Sequence, residues 1–223
     1  MRIVFVLFPD LTQLDFTGPL QVLSRLPGAE VHLAAKSMDA VPTDTALSIP
    51  PTATFADCPP ADVLVLPGGF GVDGAMNDEE LIAFVRRSGE TARYVASVCT
   101  GAFILGAAGR LKGRRATTHW AYHDELAKVG AVPVKARVVR DGNVFTGGGV
   151  TAGLDFAFVL AAEIAGETAA KAIQLGLEYD PDPPFRSGSP ESAAPEARAA
   201  MEARYGKRLE AFRAALARAN SRL

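Results

Sequence analysis

Three short apolar runs constrain this chain more than any other feature: residues 3–8 (IVFVLF), 63–66 (VLVL) and 94–98 (YVASV). They are rich in β-branched and aromatic residues and lack polar–apolar alternation. Each reads as a strand buried on both faces, which demands helices above and below a parallel sheet. The segments between them fit that demand. Thr17, Gly18 and Pro19 are start signals for a helix over residues 20–26, which Pro27-Gly28 stops. Asn77 or Asp78 can cap a helix through Arg87 with Leu81, Ile82, Phe84 and Val85 on its inner side. Gly101 opens an apolar helix, residues 119–129 read as an amphipathic helix, and glycines 147–149 lead into an apolar helix over 151–164. Another begins near Glu167.

Residues 31–35 supply a further strand. The Pro/Thr/Ser-rich stretch 41–54 reads as a hairpin or irregular connection. Asp141-Gly142-Asn143, between two β-branched runs, is a strong hairpin signal. Strands alternating with helices predict an α/β fold with a mostly parallel, helix-covered sheet. No repeat or break interrupts residues 1–180, which read as one domain. Residues 181–195 are a Pro/Ser-rich linker, and residues 197–219 an Ala/Arg/Glu-rich helix. The segment 181–223 is expected to be an appendage packing on the same unit or on a dimer partner.

Composition narrows the function. The 223 residues carry 23 Lys plus Arg and 25 Asp plus Glu, a formal net charge of −2. A chain this close to neutral is not built to coat nucleic acid or an anionic membrane. Its two cysteines cannot make a disulfide framework or a four-Cys zinc site. The apolar run near the start is too short for a signal peptide or a membrane span. The expected compartment is the cytoplasm, where both thiols stay free.

In open parallel sheets, ligands bind beyond the carboxyl ends of the strands. Four unusual pieces fall at such ends: Asp15 with Thr17, residues 67–71 (PGGFG), Cys99-Thr100-Gly101, and residues 147–151 (GGGVT). Cys99 lies between a buried strand and a helix, the arrangement of a nucleophile elbow. A helix N-terminus there is expected to lower the thiol pKa. The other reading is a buried structural cysteine. Asp15, among Leu11, Leu14 and Phe16, is either an acid with a raised pKa or a helix cap. The PGG turn offers N–H donors for developing negative charge or is simply a tight turn, and the three later glycines carry the same two readings. His119 and His123 are spaced i, i+4 without a following Glu or a third ligand, so no metal site is expected. Cys58, in a loop, reads as structural.

The order of the pieces is itself informative. FPD-x-x-Q-LD-x-TGP at 8–19 is followed by FADCPP at 55–60 and PGG-x-GV at 67–72. Then come SVCTGA at 97–102, RATTHWAYH at 115–123 and TGGG-x-TAG-x-DFA at 146–157. This set resembles the ThiJ/PfpI superfamily, and its isonitrile hydratase branch in particular, over residues 3–179. The resemblance implies a three-layer α/β/α, flavodoxin-like fold of the glutamine amidotransferase-like class. Two details choose the branch: Thr100 where protease-like or glyoxalase-like relatives carry His, and Asp15 where many members carry Glu. The SVCTG and TTHW pieces are also similar to the sensor domain of AraC-type regulators. Residues 181–223 leave no room for their helix-turn-helix reader.

The resemblance implies a cofactor-free hydro-lyase acting on a small-molecule isonitrile, R–NC. Cys99 would be the nucleophile, Asp15 the proton donor and Thr100 a supporting group. Gly69, Phe70, Gly149 and Val150 would shape the pocket and supply N–H groups, with His119 as a neighbour near the cysteine. Phe70 and Val150 depart from the branch pattern, where Thr and Ile are more usual, which bears on the substrate's side chain. The resemblance also implies a homodimer. The competing expectations are another enzyme of the superfamily, of glyoxalase or deglycase type, and a cysteine-based redox sensor without turnover.

Overall fold

A computed structural model of the chain describes residues 1–222. Strand β1 (Arg2–Val6) is followed by α1 (Gln13–Leu23), β2 (Glu30–Ala35), the short strands β3 (Val41–Pro42), β4 (Ser48–Ile49) and β5 (Ala53–Thr54), then β6 (Val63–Leu66). Next come α2 (Val72–Ala75), α3 (Glu79–Thr91), β7 (Tyr94–Val98), α4 (Gly101–Ala107) and β8 (Arg115–Ala116). A 3-10 segment (Trp120–Val129) leads to β9 (Val132–Pro133), β10 (Val138–Asp141) and β11 (Val144–Gly147). Helices α5 (Ala152–Ala165), α6 (Glu167–Gly176) and α7 (Pro195–Asn220) complete the order.

The main sheet has the order β10-β11-β7-β6-β1-β2-β5. Only the β10–β11 pair is antiparallel. It is the hairpin expected around Asp141-Gly142-Asn143. Strands β6 and β7 are buried along their whole length, as the unbroken apolar runs require. Helices cover both faces, giving a three-layer α/β/α sandwich. The register decides where chemistry can sit. Phe5 is level with Val65, Leu66 with Ser97, and Gly147 with Val98. The exits of β1, β6, β7 and β11 therefore lie side by side along one edge, at the carboxyl ends of the strands.

The residue 41–54 stretch resolves into the β3–β4 hairpin and the edge strand β5. Asp78 caps α3 as expected, accepting from the N–H groups of Glu80 and Leu81.

Two helical expectations need correction. Helix α1 begins at Gln13, so Asp15, Thr17 and Pro19 all lie inside it. Its first turn is satisfied from a distance: Gln13 N–H donates to Asp44 Oδ1 at 2.9 Å. The Pro19 ring packs closely against Gly153 of α5, where an added Cβ would lie 3.3 Å from Pro19 Cδ. Residues 120–129 wind as 3-10 turns rather than as an α-helix. They hold Tyr122 and Leu126 against the core all the same.

Helix α7 packs on α2, α4 and the 3-10 segment of its own chain. Phe212 is fully buried and meets Phe103 edge-on at 4.8 Å and Tyr122 at 4.7 Å. Burying one such side chain is worth about 1.5–3 kcal/mol, so α7 is integral to the packed unit.

Candidate active site

Asp15 leaves β1 on the first turn of α1 and is completely buried. Its Oδ2 accepts the Gly68 N–H at 2.9 Å, while Oδ1 is buried without a hydrogen-bond partner. Burial pushes the carboxyl up to about 7, with the Gly68 N–H and the Cys99 side chain pulling it partly back and Asp44 adding a small upward push. Gly68 must be glycine, since a Cβ there would lie 2.6 Å from Thr100 N and 2.9 Å from Asp15 Oδ2. Gly101 has the same constraint: its Cβ would fall 2.5 Å from Leu66 O, so α4 starts in direct contact with the end of β6.

Cys99 takes φ = 55°, a left-handed conformation that costs a residue with a Cβ roughly 1–2 kcal/mol. Hydrogen bonds hold it there. Its N–H donates to Gly148 O at 2.8 Å and Gly147 O at 3.1 Å. Its carbonyl accepts the Thr118 hydroxyl at 2.7 Å. The next residue is fixed too: Thr100 Oγ1 accepts from Gly69 N–H at 3.0 Å and donates to Gly69 O at 3.2 Å. The elbow expected from the strand-to-helix junction is present, and Cys99 sits in it only 6% exposed.

The expected lowering of the thiol is reversed. Burial and the Asp15 charge push Cys99 well above its ordinary value, against smaller pulls from Thr100 and the Val150 N–H. Helix α4 spans only Gly101–Ala107, and its N-terminal dipole does not outweigh desolvation. Acid and thiol thus form one buried unit in which the charged form of each is disfavoured.

The four strand-end pieces converge, but their members serve differently. The Gly69 N–H is spent on Thr100, so it is not a free donor for developing charge. Phe70 lies under the Arg208 guanidinium, 3.9 Å from its ring centroid. Val150 is next to the sulfur, and Gly149 packs on the ring of His119. Burial pushes His119 down to about 4, so its ring is neutral. Its Nδ1 accepts the Ala121 N–H at 3.3 Å, which leaves the proton on Nε2. Cys58, half-buried in its loop, is a free thiol, and among the described residues no cluster could hold a metal ion.

Beyond this floor opens a cleft of about 970 Å³. Gly149, Val150, Thr118 and His119 line it together with Tyr205 and Leu209 of α7, while Cys99 and Asp15 do not reach its surface. Phe70 is not part of it. Tyr205 meets His119 at 4.9 Å and Trp120 at 5.7 Å between ring centroids. The sequence reading missed Thr118 and Tyr205. Thr118 sits in the quoted TTHW piece, yet nothing local shows that its hydroxyl reaches Cys99. Tyr205 lies on a helix whose weak apolar patterning hides what it faces.

Comparison with known proteins adds a separate line. Residues 1–163 match the DJ-1/PfpI family. The chain is 57% identical over 193 residues to an isonitrile hydratase of Pseudomonas putida, covering 86% of this chain and 85% of that one. It is 30% identical over 145 residues to a deglycase of Pyrococcus horikoshii, covering 64% and 87%. Among solved structures, a ThiJ/PfpI family protein from Pseudomonas syringae superposes with a TM-score of 0.92 at 46% identity, covering 98% of this chain and 90% of that one.

Proposed function

The chain belongs to the DJ-1/PfpI family, and from that premise we propose that it is an isonitrile hydratase, adding water to R–NC to give an N-substituted formamide. The 57% identity to the Pseudomonas putida enzyme over most of both chains supports the reaction. The observation that carries the mechanism is the buried pair at the sheet edge: Cys99 in its held elbow beside Asp15, whose buried Oδ1 has no hydrogen-bond partner.

With one proton on the pair, Asp15 carboxylate with Cys99 thiol and Asp15 carboxyl with Cys99 thiolate are tautomers. The second is the reactive form: a soft thiolate suits the soft isonitrile carbon. The sulfur bonds to the terminal carbon as the Asp15 carboxyl gives that carbon its proton. The product is a thioimidate, R–N=CH–S–Cys99. Asp15, now a carboxylate, takes a proton from water as the water oxygen adds to the same carbon, and passes it to nitrogen. The carbon–sulfur bond then breaks, the hydroxyl proton returns to Asp15, and R–NH–CHO leaves with the thiolate restored. An acid that titrates near 7 can both give and take protons at neutral pH.

In this reading the Val150 and Thr100 N–H groups steady the thiolate, and Gly69 and Phe70 hold the turn that carries Gly68. His119, neutral with Nε2–H, acts as a donor or spacer and not as the base. The reading includes a homodimer in the cytoplasm, for which light scattering and fractionation are the checks. No described helix is long and apolar enough to cross a membrane. The decisive assay is formation of N-cyclohexylformamide from cyclohexyl isocyanide. Turnover lost in Cys99→Ala is the expected result, and native protein without turnover of any isonitrile overturns the reading.

A further inference from the structure

The isonitrile head is only two atoms long, yet the cleft beside it is about 970 Å³. That is at the upper end of the roughly 300–1,000 Å³ range of sites that enclose drug-sized molecules. The cleft borders the reacting pair through residues that touch Cys99. Cys99 is nearly enclosed, and two groups bonded to it, the Val150 N–H and the Thr118 hydroxyl, belong to residues of the cleft wall. Cys99 and Asp15 do not line the cleft themselves; Val150 and Thr118 connect it to the cysteine, so a substrate whose carbon passes Val150 has this wall available for its remainder.

The chemistry of the wall is specific. Among its lining residues the rings of His119, Trp120 and Tyr205 pack on one another at 4.9–5.7 Å between centroids, an aromatic cluster on whose outer surface an aromatic guest can stack. Its rim carries no net charge: Lys135, Arg137 and Arg198 are balanced by Asp124, Glu191 and Glu202. Arg137 is already bound to Asp155 and Arg198 to Glu202, so neither is free for an anionic substrate.

We propose that this cleft seats the substrate's side chain, and that the preferred substrate is an isonitrile with a neutral aromatic body larger than one ring. The proposal rests on the isonitrile hydratase reading and deepens it to a substrate class. Tyr205 is then a specificity-determining residue, and α7 is the element that sets what the enzyme accepts.

The test compares 2-naphthyl isocyanide with methyl isocyanide in the full-length protein. The native enzyme is expected to favour the naphthyl compound at least about tenfold in kcat/KM, the scale on which pocket contacts discriminate apolar groups. Two variants attack the cleft from opposite directions. Tyr205→Ala removes an aromatic wall. Gly206→Phe puts a ring into the space, starting from a Cβ position on α7 that meets nothing within 4 Å. Each should lower the naphthyl-to-methyl ratio about tenfold. A native preference for methyl isocyanide, or a ratio that Gly206→Phe leaves unmoved, overturns the proposal. If no isonitrile is turned over, the functional reading itself has failed. The cleft is then judged alone, by calorimetric titration with N-(2-naphthyl)formamide. Binding that Gly206→Phe weakens about tenfold supports an aromatic seat, and absent or unaffected binding refutes it.

Discussion

On the sheet side of the site, the reacting groups leave neighbouring strand ends and are held by backbone hydrogen bonds: Asp15 by Gly68, Cys99 by Gly147 and Gly148, Thr100 by Gly69. On the opposite side, Trp120 and Tyr205 come from a 3-10 segment and a terminal helix joined by ring contacts and ion pairs. The floor is rigid because the register of four strands places its parts. The cover is positioned only by how α7 packs. The difference divides the labour: chemistry sits where the backbone dictates geometry, and selectivity where side chains do.

The most direct way to break that division is to exchange the two thiols' fates. Cys99→Ala should cut kcat/KM by more than about 10³-fold, because a covalent step cannot proceed without its nucleophile. Cys58→Ser should leave it within about twofold, since Cys58 lies in a loop away from Asp15 and Cys99 and its sulfur makes a single hydrogen bond, to Pro59 O at 3.6 Å. Formamide production by the purified variants decides it, and comparable losses in both would dissolve the distinction.

Asp15→Asn comes next. Loss of acid–base exchange should lower kcat by about 10²–10⁴-fold. Its stability effect runs the other way and has a defined pH window. The Asp15 carboxyl titrates near 3.8 when exposed and near 7 when folded. Its charge therefore costs nothing below the lower value, an increasing amount between the two, and a constant amount above the higher. The variant should melt several degrees higher than the native protein at pH 8, with the gap closing toward pH 4. Equal melting at pH 8 would argue against a desolvated carboxylate.

How far the sequence foretold this architecture follows the same line. The strands, the Cys99 elbow and the Gly101 approach were legible because each is written in contiguous residues. The pKa of Cys99 was not. A helix N-terminus is visible in sequence, but the burial that overrides it arises from the surrounding elements. Likewise α1 starts seven residues before the expected point, because its first N–H is satisfied by Asp44 from a distant hairpin. Thr118 is the instructive intermediate case, since its motif is legible and its partner is not. Thr118→Val keeps the shape and removes the hydroxyl that holds the Cys99 carbonyl. Losing that bond should lower kcat roughly tenfold with little change in KM, and Thr118→Ser should restore it. A loss that appears in KM alone would mean that Thr118 shapes the cleft and does not hold the elbow.

The smallest expected effect tests the cover. Glu125 of the 3-10 segment is buried, with Oε1 2.7–2.8 Å from the Arg213 guanidinium of α7 and Oε2 2.5 Å from Lys128 Nζ. Burial pushes this carboxyl up, but the hydrogen bonds to Arg213 and Lys128 outweigh it and hold it below its ordinary value. A lowered carboxylate stabilises the fold above its ordinary pKa and loses that contribution as pH falls through the folded one. Glu125→Gln removes the charge at nearly constant volume. It should lower Tm by about 2–4 °C at pH 7, since both cations are half exposed and solvent screens them. As pH falls below the ordinary carboxylate range and the native carboxylate also protonates, the gap should close. Because Arg213 lies two turns beyond Tyr205 on the same helix, the variant should also soften the preference for bulky isonitriles, by roughly two- to threefold. A Tm gap with no dependence on pH would assign the loss to packing instead of charge, and Tyr205 would then owe its position to the aromatic contacts alone.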